Sequence, residues 1–162
     1  MSTNIRHAKA TDMPRLKEVI NASFPMFYRH FSNRSVNSHT GTVLVSEVNG
    51  EIAGFARLTE FMVGGRRFGC VFWLAVHPDF RRRGVAASLV RVGVDWLVGW
   101  GAVAVFGSAG RENVGSIGTF LGVSFRRVGF LGLWRFFGWR VFEFYAKIWF
   151  VPSEVVLMFG GC

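Results

Sequence analysis

The chain has 162 residues and a mass of 18.2 kDa, a common size for one compact domain with a sizeable core. Apolar residues make up 51% of it and charged residues 18%, which excludes an intrinsically disordered chain. The 19 Lys and Arg against 10 Asp and Glu give a net charge of +9, and 16 of these basic residues are arginines. Because arginine binds phosphate well, the surplus predicts an anionic partner, and nucleic acid, a membrane surface and a phosphorylated cofactor all fit it.

The hydropathy pattern and the cysteines exclude further classes. The longest uncharged run, Trp96 to Gly110, is shorter than the roughly 20 apolar residues that span a bilayer, so no membrane span is expected. Residues 1–13 contain no apolar leader segment, which predicts a cytoplasmic protein. Cys70 and Cys162 form no CxxC pair and the four histidines show no ligand spacing, so neither a disulfide framework nor a metal site is expected.

Strand and helix patterns alternate along the chain without a linker or a repeat, which predicts one α/β domain over residues 1–162. In the first half we expect strand Asn4 to Ala8, a helix capped by Thr11 and closed by Phe24-Pro25, a short helix with Phe27, Tyr28 and Phe31, and strands Thr42 to Val48 and Ile52 to Phe61 around the turn Asn49-Gly50. In the second half we expect strand Phe68 to Val76, helix Val85 to Trp100, strand Ala102 to Phe106, helix Asn113 to Leu121 and strand Val155 to Phe159.

Two segments have less regular patterns. The polar, glycine-ended stretch Ser32 to Gly41 predicts a loop that returns the chain to the sheet. Residues 142, 144, 146, 148 and 150 are Phe, Phe, Ala, Ile and Phe, while their odd neighbours include Glu143 and Lys147. This period of two predicts a strand across residues 142–150.

The loop between the third strand and the long helix, residues 76–86, is the most specific feature. Backbone N–H groups at the start of a helix have no intrahelical acceptor, and the helix dipole adds partial positive charge there. Gly84 and the small Ala86 allow close approach to the backbone, and three consecutive arginines precede them. A solvated basic face would explain the arginines alone, but their place between an apolar strand and an amphipathic helix favours a pyrophosphate site.

At these residues the sequence resembles the GNAT acetyltransferase superfamily, whose acetyl-CoA motif is Arg/Gln-x-x-Gly-x-Gly/Ala. Here it reads Arg81-Arg82-Arg83-Gly84-Val85-Ala86. The opening Ile5-Arg6 and the hairpin at Asn49-Gly50 followed by Ile52-Ala53-Gly54-Phe55 are similar to the first three strands of the family. The resemblance covers about residues 4 to 128 and implies a mixed, mostly antiparallel central sheet flanked by helices and splayed at the cofactor site.

The resemblance continues downstream with two departures. Asn113, Ser116, Phe120 and Phe125 stand where the family has Asn-x-x-Ala-x-x-x-Tyr and then Gly-Phe. Phe120 replaces the tyrosine, which in the family is placed to protonate the leaving thiolate, and Ser124 replaces the glycine. The aromatic tail from Phe130 to Phe150 is similar only loosely.

The resemblance also implies the cofactor and its contacts. Acetyl-CoA would be the acetyl donor, with its pyrophosphate on the loop at 81–86. The pantetheine arm would run between the third apolar strand and strand 102–106, bonding to backbone near Leu74, Ala75 and Val76. Asn113, Ser116 and Phe120 would lie beside the cofactor arm, although Asn113 is equally suited to cap its helix.

Acyl transfer to an amine requires a neutral amine, a stabilised oxyanion and a proton for the departing thiolate. Backbone N–H groups near Val76 are candidates for the oxyanion. For the base the candidates are Glu60, Glu47 and His77, with Glu60 acting through water as first choice. The position where many relatives carry a catalytic glutamate falls near Cys70, which in an apolar strand is most simply a core residue.

The sequence therefore predicts an N-acetyltransferase whose acceptor amine attacks acetyl-CoA directly. The charge of +9 disfavours polyamines and aminoglycosides, so the expected acceptor is a protein N-terminus, a protein lysine or a small amine, in particular one bearing a carboxylate. The alternatives are an Arg-rich nucleic-acid-binding module, which is disfavoured, and an acetyl-CoA-binding domain without catalysis. The apolar surface after Phe125 predicts a homodimer.

Overall fold

A computed structural model describes residues 3–37, 41–148, 150 and 152–160 of the chain. Seven strands form one sheet in the order β1-β2-β3-β4-β5-β7-β6. The strands are β1 (Thr3–His7), β2 (Thr42–Val48), β3 (Glu51–Val63), β4 (Arg66–Val76), β5 (Ala104–Gly110), β6 (Arg126–Arg127) and β7 (Glu154–Gly160). The helices are α1 (Met13–Ser23), α2 (Met26–Val36), α3 (Val85–Trp100), α4 (Val114–Gly122), α5 (Phe130–Phe137) and α6 (Val141–Lys147).

The pairing of the strands is mixed. β1 pairs with β2, β2 with β3, β5 with β7 and β6 with β7 in antiparallel fashion, whereas β4 and β5 run parallel. The predicted mixed, mostly antiparallel sheet flanked by helices is therefore confirmed. In the part of the chain that the structure describes, every helix is too short or too polar to cross a bilayer.

The chain divides into two compact units. The first unit consists of Met1–Thr59 and Phe72–Gly93, and the second unit of Glu60–Val71 and Val94–Cys162. β3 and β4 each contribute residues to both units, because the division falls within these two strands.

The core of the first unit is mainly aliphatic. Leu16, Val19 and Ile20 recur at helical spacing on α1, are fully buried, and pack with Phe55 of β3. The turn joining β2 and β3 has positive φ at both Asn49 and Gly50, 52° and 83°, which the Asn-Gly pair predicted.

An arginine-centred charge network stabilises the start of the first unit. Arg6 donates to the carboxylate of Asp12 at 2.7 and 3.1 Å and to that of Glu47 at 2.9 Å. The bonds from Arg6, together with the Lys9 N–H at 2.7 Å, hold the pKa of Asp12 below its ordinary value although burial opposes this. Asp12 and not Thr11 is therefore the acceptor at this helix start, and the predicted Thr11 cap is wrong.

The second helix is longer than predicted. The polar stretch from Ser32 is helical as far as Val36, because Val36 is buried in the core and the Ser32 hydroxyl donates to the Arg29 carbonyl at 3.2 Å. Tertiary burial therefore overrides the local polar pattern at this point. Residues 38–40 of the predicted loop lie outside the described residues.

The core of the second unit is strongly aromatic. Phe68, Phe106 and Phe144 are fully buried, and the Phe106 and Phe144 ring centroids lie 4.8 Å apart. The predicted strand over 142–150 is wrong, since α6 covers Val141–Lys147. Val141, Phe144 and Ile148 face the core with helical spacing. The segment therefore has apolar residues at both strand and helix spacing, and the residues at helix spacing are the ones buried in the core.

Candidate functional site

The last part of β4 extends past its pairing with β5. The β4–β5 ladder consists of Gly69 with Val105, Cys70 with Phe106 and Val71 with Gly107, and β4 then continues to Val76. β3 approaches this end very closely, because a Cβ on Gly54 would lie 2.6 Å from the Ala75 carbonyl oxygen. The backbone of Leu74, Ala75 and Val76 is thus held against β3 at a place beyond the last pair with β5.

The chain folds back on itself directly after β4. The His77 N–H donates to the Ala53 carbonyl at 2.8 Å, and residues Pro78–Phe80 form a single 3-10 turn. The Val76 carbonyl accepts from Arg81 Nε at 3.1 Å and from the Ser23 hydroxyl at 3.2 Å. These bonds bring the end of β4, the arginine loop and the end of α1 together within the first unit.

The loop then presents backbone donors at the start of α3. Arg82 and Gly84 both have positive φ, 61° and 78°, and the helix begins at Val85. The first bond of helical type runs from the Ser88 N–H to the Gly84 carbonyl at 3.0 Å. The N–H groups of the first turn, residues 85–87, therefore have no acceptor within the helix and suit an anion.

The surroundings of this loop are open and basic. Nothing lies within 4 Å of where a Cβ on Gly84 would be, so a ligand can approach the backbone there. Arg81, Arg82 and Arg83 are exposed, and within the described ranges none of them forms an ion pair with a carboxylate. The backbone N–H donors, the dipole of α3 and the charge of the three arginines together fit a pyrophosphate, the anion that coenzyme A would bring to this position.

The predicted residues of the second unit occupy α4. Asn113 is the residue before the helix, and its side-chain oxygen accepts from the Ser116 N–H at 3.0 Å, so the capping role is observed. Phe120 is only 2% exposed, packs against Phe125 with ring centroids 5.0 Å apart, and lies over Gly107. The structure thus places Phe120 in the core of the second unit, and its contact with a cofactor stays a prediction.

The three candidate bases have different surroundings. Glu47 is engaged by Arg6 and belongs to the charge network, so it is the least available of the three. His77 adjoins Val76, and its Nδ1 lies 3.4 Å from the Asp79 N–H and 3.5 Å from the Asp79 carboxylate. Glu60 is half-buried on β3 in the second unit.

Cys70 has the properties of a core residue. It is 1% exposed, and burial, followed by the charge of Glu154, raises the pKa of its thiol far above the ordinary value. A thiol that stays protonated is a poor nucleophile. The interpretation of Cys70 as a small packed side chain agrees with this environment.

Comparison with protein-family models decides the family. The model of the acetyltransferase (GNAT) family matches residues 10–123. The chain belongs to the GNAT family. Membership confirms the resemblance seen in the sequence to the GNAT acetyltransferases.

Individual relatives are similar either over part of the chain at high identity or over nearly the whole chain at low identity. An acetyltransferase of Pectobacterium atrosepticum is 46% identical over 59 residues, which is 35% of this chain and 38% of that protein. This chain therefore spans little more than a third of that curated relative in the match.

Solved GNAT structures share the fold along nearly the whole chain. The ribosomal-protein-S18-alanine N-acetyltransferase of Escherichia coli aligns with a TM-score of 0.70 and 16% identity, covering 99% of this chain and 94% of that one. A PaiA N-acetyltransferase of Thermoplasma acidophilum, solved in complex with coenzyme A, aligns with a TM-score of 0.69 and 13% identity, covering 98% of both chains. At these identities the likeness shows the fold alone.

Sequence analysis missed a group of aromatic contacts beside the end of β4, in which the half-buried Trp73 packs on the core of the first unit. Trp73 contacts Phe24 and Tyr28, with ring centroids 5.3 and 6.2 Å apart. The available signal was the spacing of Phe27 and Phe31, which share a face of α2 that does not carry the buried Ser32 and Val36.

Proposed function

We propose that this protein is a single-domain, acetyl-CoA-dependent N-acetyltransferase that acts on a primary amine by direct attack. The amine nitrogen forms a bond to the thioester carbonyl carbon, the carbon–sulfur bond breaks, and one proton passes from nitrogen to the solvent while the sulfur leaves and becomes a thiol. The observation that carries the proposal is the basic, open loop 81–86 at the start of α3, within a chain that belongs to the GNAT family.

In this proposal the first unit holds most of the cofactor. The N–H groups of Val85 and Ala86, the open backbone at Gly84 and the exposed side chains of Arg81, Arg82 and Arg83 bind the pyrophosphate. The backbone of Leu74, Ala75 and Val76 bonds to the pantetheine arm, whose thioester supplies the acetyl group. From the second unit we propose Asn113 and Ser116 as further contacts, since the capping bond uses only the Asn113 oxygen and leaves its amide N–H groups as donors.

Proton removal is proposed for Glu60 acting through water. His77 is the competing residue, because it lies directly after Val76 and belongs to the same unit as the loop. The variants Glu60→Gln and His77→Gln distinguish the two candidates. Only the substitution that removes the proton acceptor should shift the acidic limb of the profile of kcat/KM against pH.

The acceptor is proposed to be a primary amine: a protein N-terminus, a lysine or a small amine. We also propose a homodimer, because Phe130, Leu131 and Trp139 of the second unit are at least half exposed. Sedimentation at micromolar concentration tests the dimer. A result that gives only the monomer mass contradicts the dimer and leaves the enzymatic proposal unaffected.

The test of the cofactor site is calorimetric binding of acetyl-CoA. Gly84→Val blocks the open backbone and we expect it to weaken binding more than tenfold, whereas Arg82→Ala removes one exposed charge and is expected to weaken binding about two- to fivefold. The matched control is Gly50→Val, which also introduces Val at a positive φ, 83°, with open space around it. An unchanged affinity in Gly84→Val, or loss of affinity in both Gly84→Val and Gly50→Val alike, contradicts the site.

The same preparation distinguishes the alternatives. Binding of acetyl-CoA without thiol release in the presence of any amine indicates a non-catalytic acetyl-CoA-binding domain. A steeply salt-dependent affinity for oligonucleotides in the absence of acetyl-CoA binding indicates a nucleic-acid-binding module.

A further inference from the structure

Four large apolar side chains of the second unit are exposed in the helical segment between β6 and β7. Trp139 is 77% exposed, Leu131 75%, Phe142 59% and Phe130 51%. Single exposed apolar residues are common on proteins, but a contiguous group of large ones is rare on a monomer and marks a surface that binds a partner. The first question is therefore whether these four side chains are contiguous.

The half-buried Trp134 of α5 joins them into one surface. Its ring centroid lies 6.0 Å from that of Phe130, 4.9 Å from that of Trp139 and 6.2 Å from that of Phe142. Leu131 lies in the first turn of α5 and precedes Trp134 by three residues, which places the two on one side of the helix. These five residues are called the apolar face.

The apolar face is separate from the side of the helices that packs in the core. Leu133 of α5 and Val141 and Phe144 of α6 are fully buried in the core cluster of the second unit. A surface helix ordinarily has one apolar stripe toward the core and polar residues opposite it. The burial of these three residues already provides that stripe, so the fold alone does not explain the exposed rings.

Basic residues accompany the apolar face. Residues 126–147 contain five basic residues and one acidic residue, which gives them a net charge of +4. Arg135 and Arg140 each directly follow a tryptophan of the apolar face, and both are exposed. The acidic residue, Glu143, accepts from Arg140 at 3.3 Å. Exposed Trp, Phe and Leu side chains flanked by arginines are typical of helices that lie in the interface of an anionic bilayer.

A cavity of 310 Å³ beside α5 combines the same two kinds of group. Arg126 of β6 and Arg135 of α5 both line it, so two arginines from different elements meet at one place. The other lining residues are Val128, Gly132, Phe136 and Met158. Arginine binds phosphate, and the apolar side chains beside it suit an acyl chain, so the lining matches the two parts of a phospholipid.

We infer that the apolar face lies on the surface of an anionic lipid bilayer. Arg135 and Arg140 bind lipid phosphates. Trp139, Leu131 and Phe142 lie at the boundary of the acyl chains. This interaction is separate from acetyl transfer, and its test measures binding alone.

A second copy of the chain is the other partner that could cover the apolar face, as in the homodimer proposed above. In a symmetric dimer the same face of each copy meets, so the basic residues of one copy lie near those of the other. An anionic bilayer instead neutralises these charges. Charge complementarity therefore favours the bilayer where one is present, and the dimer belongs to the protein without lipid.

The test is co-sedimentation of the full chain with lipid vesicles. Equal amounts of phosphatidylglycerol and phosphatidylcholine provide an anionic surface, and phosphatidylcholine alone provides a neutral one. We expect an affinity at least about tenfold higher for the anionic vesicles. Raising NaCl from about 50 to about 500 mM should weaken this binding without abolishing it, because salt screens the charges and leaves the rings in place. Equal affinity for the two kinds of vesicle, or binding to neither, overturns the inference.

Variants separate the contribution of the rings from that of the charge. Trp139→Ala is expected to weaken binding to anionic vesicles about tenfold, and Arg135→Gln about fivefold. The matched controls are Phe27→Ala, which removes a ring that is 70% exposed in the first unit, and Arg111→Gln, which removes an exposed arginine of the second unit outside residues 126–147. Both controls should bind as wild type does. Equal losses in Arg135→Gln and Arg111→Gln would assign the binding to net charge and contradict the inference.

Brominated lipids test whether a ring enters the bilayer, since bromine quenches tryptophan fluorescence only at short range. Trp139→Phe keeps an aromatic ring, so we expect it to bind the vesicles while losing part of the quenching seen in wild type. Quenching that is unchanged in this variant contradicts insertion of Trp139. If Trp139→Ala instead changes the sedimenting mass without lipid, or abolishes binding to an oligonucleotide, and leaves vesicle binding unchanged, the apolar face binds a second copy or a nucleic acid and the inference is overturned.

Discussion

The aromatic side chains of the two units have opposite surroundings. In the second unit Phe68, Phe106 and Phe144 are fully buried and contact one another through a dense cluster of rings. In the first unit Phe27, Phe31 and Phe72 are exposed and lie at the surface, while the interior beneath them is mainly aliphatic. These phenylalanines therefore lie in the core of one unit and at the surface of the other.

The two units are stabilised by different kinds of side chain. The start of the first unit is stabilised by an arginine-centred charge network and by α1 side chains packed on β3, so its exposed rings are not needed for folding. In the second unit the rings of Phe61, Phe68, Phe106 and Phe144 are themselves buried in the core cluster, so we expect them to contribute to its stability. Substitutions in the two places should consequently have different effects on unfolding and on turnover.

The largest effect is expected for Phe106→Ala in the second unit. Phe106 contacts Phe61, Phe68, Phe137 and Phe144, so truncation leaves a cavity at the centre of the cluster. We expect a loss of about 4 kcal/mol in the free energy of unfolding, measured with guanidinium chloride. A loss below about 1 kcal/mol would show that the cluster is not what stabilises the second unit.

A smaller loss in the free energy of unfolding is expected for Gly107→Ala. A Cβ there would lie 2.7 Å from Phe120 Cε1, and a ring packed in the core cannot move aside freely. We expect a loss of about 2 kcal/mol from overpacking. Gly110→Ala on the same strand is the matched control, because a Cβ at Gly110 meets nothing within 4 Å. Equal losses in the two variants would assign the effect to the strand and not to the Phe120 contact.

The first unit should respond to loss of charge. Asp12→Asn weakens the bonds from Arg6 and is expected to lower the free energy of unfolding by about 1.5 kcal/mol at pH 7. Because the pKa of Asp12 is lowered in the folded state, its contribution is present above the ordinary aspartate pKa of about 3.9 and disappears as the pH falls through the folded value. The difference in the free energy of unfolding between wild type and Asp12→Asn should therefore shrink below about pH 4, as measured from urea unfolding curves.

Asp95→Asn provides the control for this charge effect, since Asp95 is exposed on α3 and takes no part in the Arg6 network. The free energy of unfolding of Asp95→Asn should stay close to that of wild type from pH 3 to pH 7. A pH dependence that persists unchanged in Asp12→Asn would assign the acid sensitivity of the first unit to other carboxylates.

The smallest effect on stability is expected for Phe72→Ala. The side chain is exposed, so its truncation should change the free energy of unfolding by less than about 0.5 kcal/mol, as measured by urea unfolding. A loss comparable to that of Phe106→Ala would remove the contrast between the two groups of rings and show that Phe72 contributes to a core.

The architecture and the arginine loop before α3 follow from local signals. Asn49-Gly50 predicts its hairpin because both residues tolerate positive φ, and the glycine and arginines before α3 predict a helix start open to an anion. These features depend on residues next to one another in sequence. The end of α2 and the whole of α6 were predicted wrongly, because Val36 and Phe144 take their structure from the cores that bury them.

The side-chain partners of the candidate site are less accessible to sequence analysis. Nothing local to Glu47 shows that Arg6, 41 residues earlier, would engage it and so weaken its case as a base. Asn113 capped its helix as its position indicated, since that bond spans only three residues. The spacing of Phe27 and Phe31 indicates a shared face of α2, but no short pattern predicts that Trp73, from a distant segment, contacts Tyr28.

The burial of Cys70 makes its thiol slow to react with thiol reagents in the folded protein. Its side chain is at the centre of the second unit, where β4 pairs with β5, and its thiol stays protonated at neutral pH. In a Cys162→Ser background, maleimide would reach this sulfur only when the surrounding strands separate. Pulsed maleimide labelling followed by mass spectrometry then reports the opening of the β4–β5 ladder directly. The same slow reaction keeps the Cys70 thiol from contributing to assays of coenzyme A release.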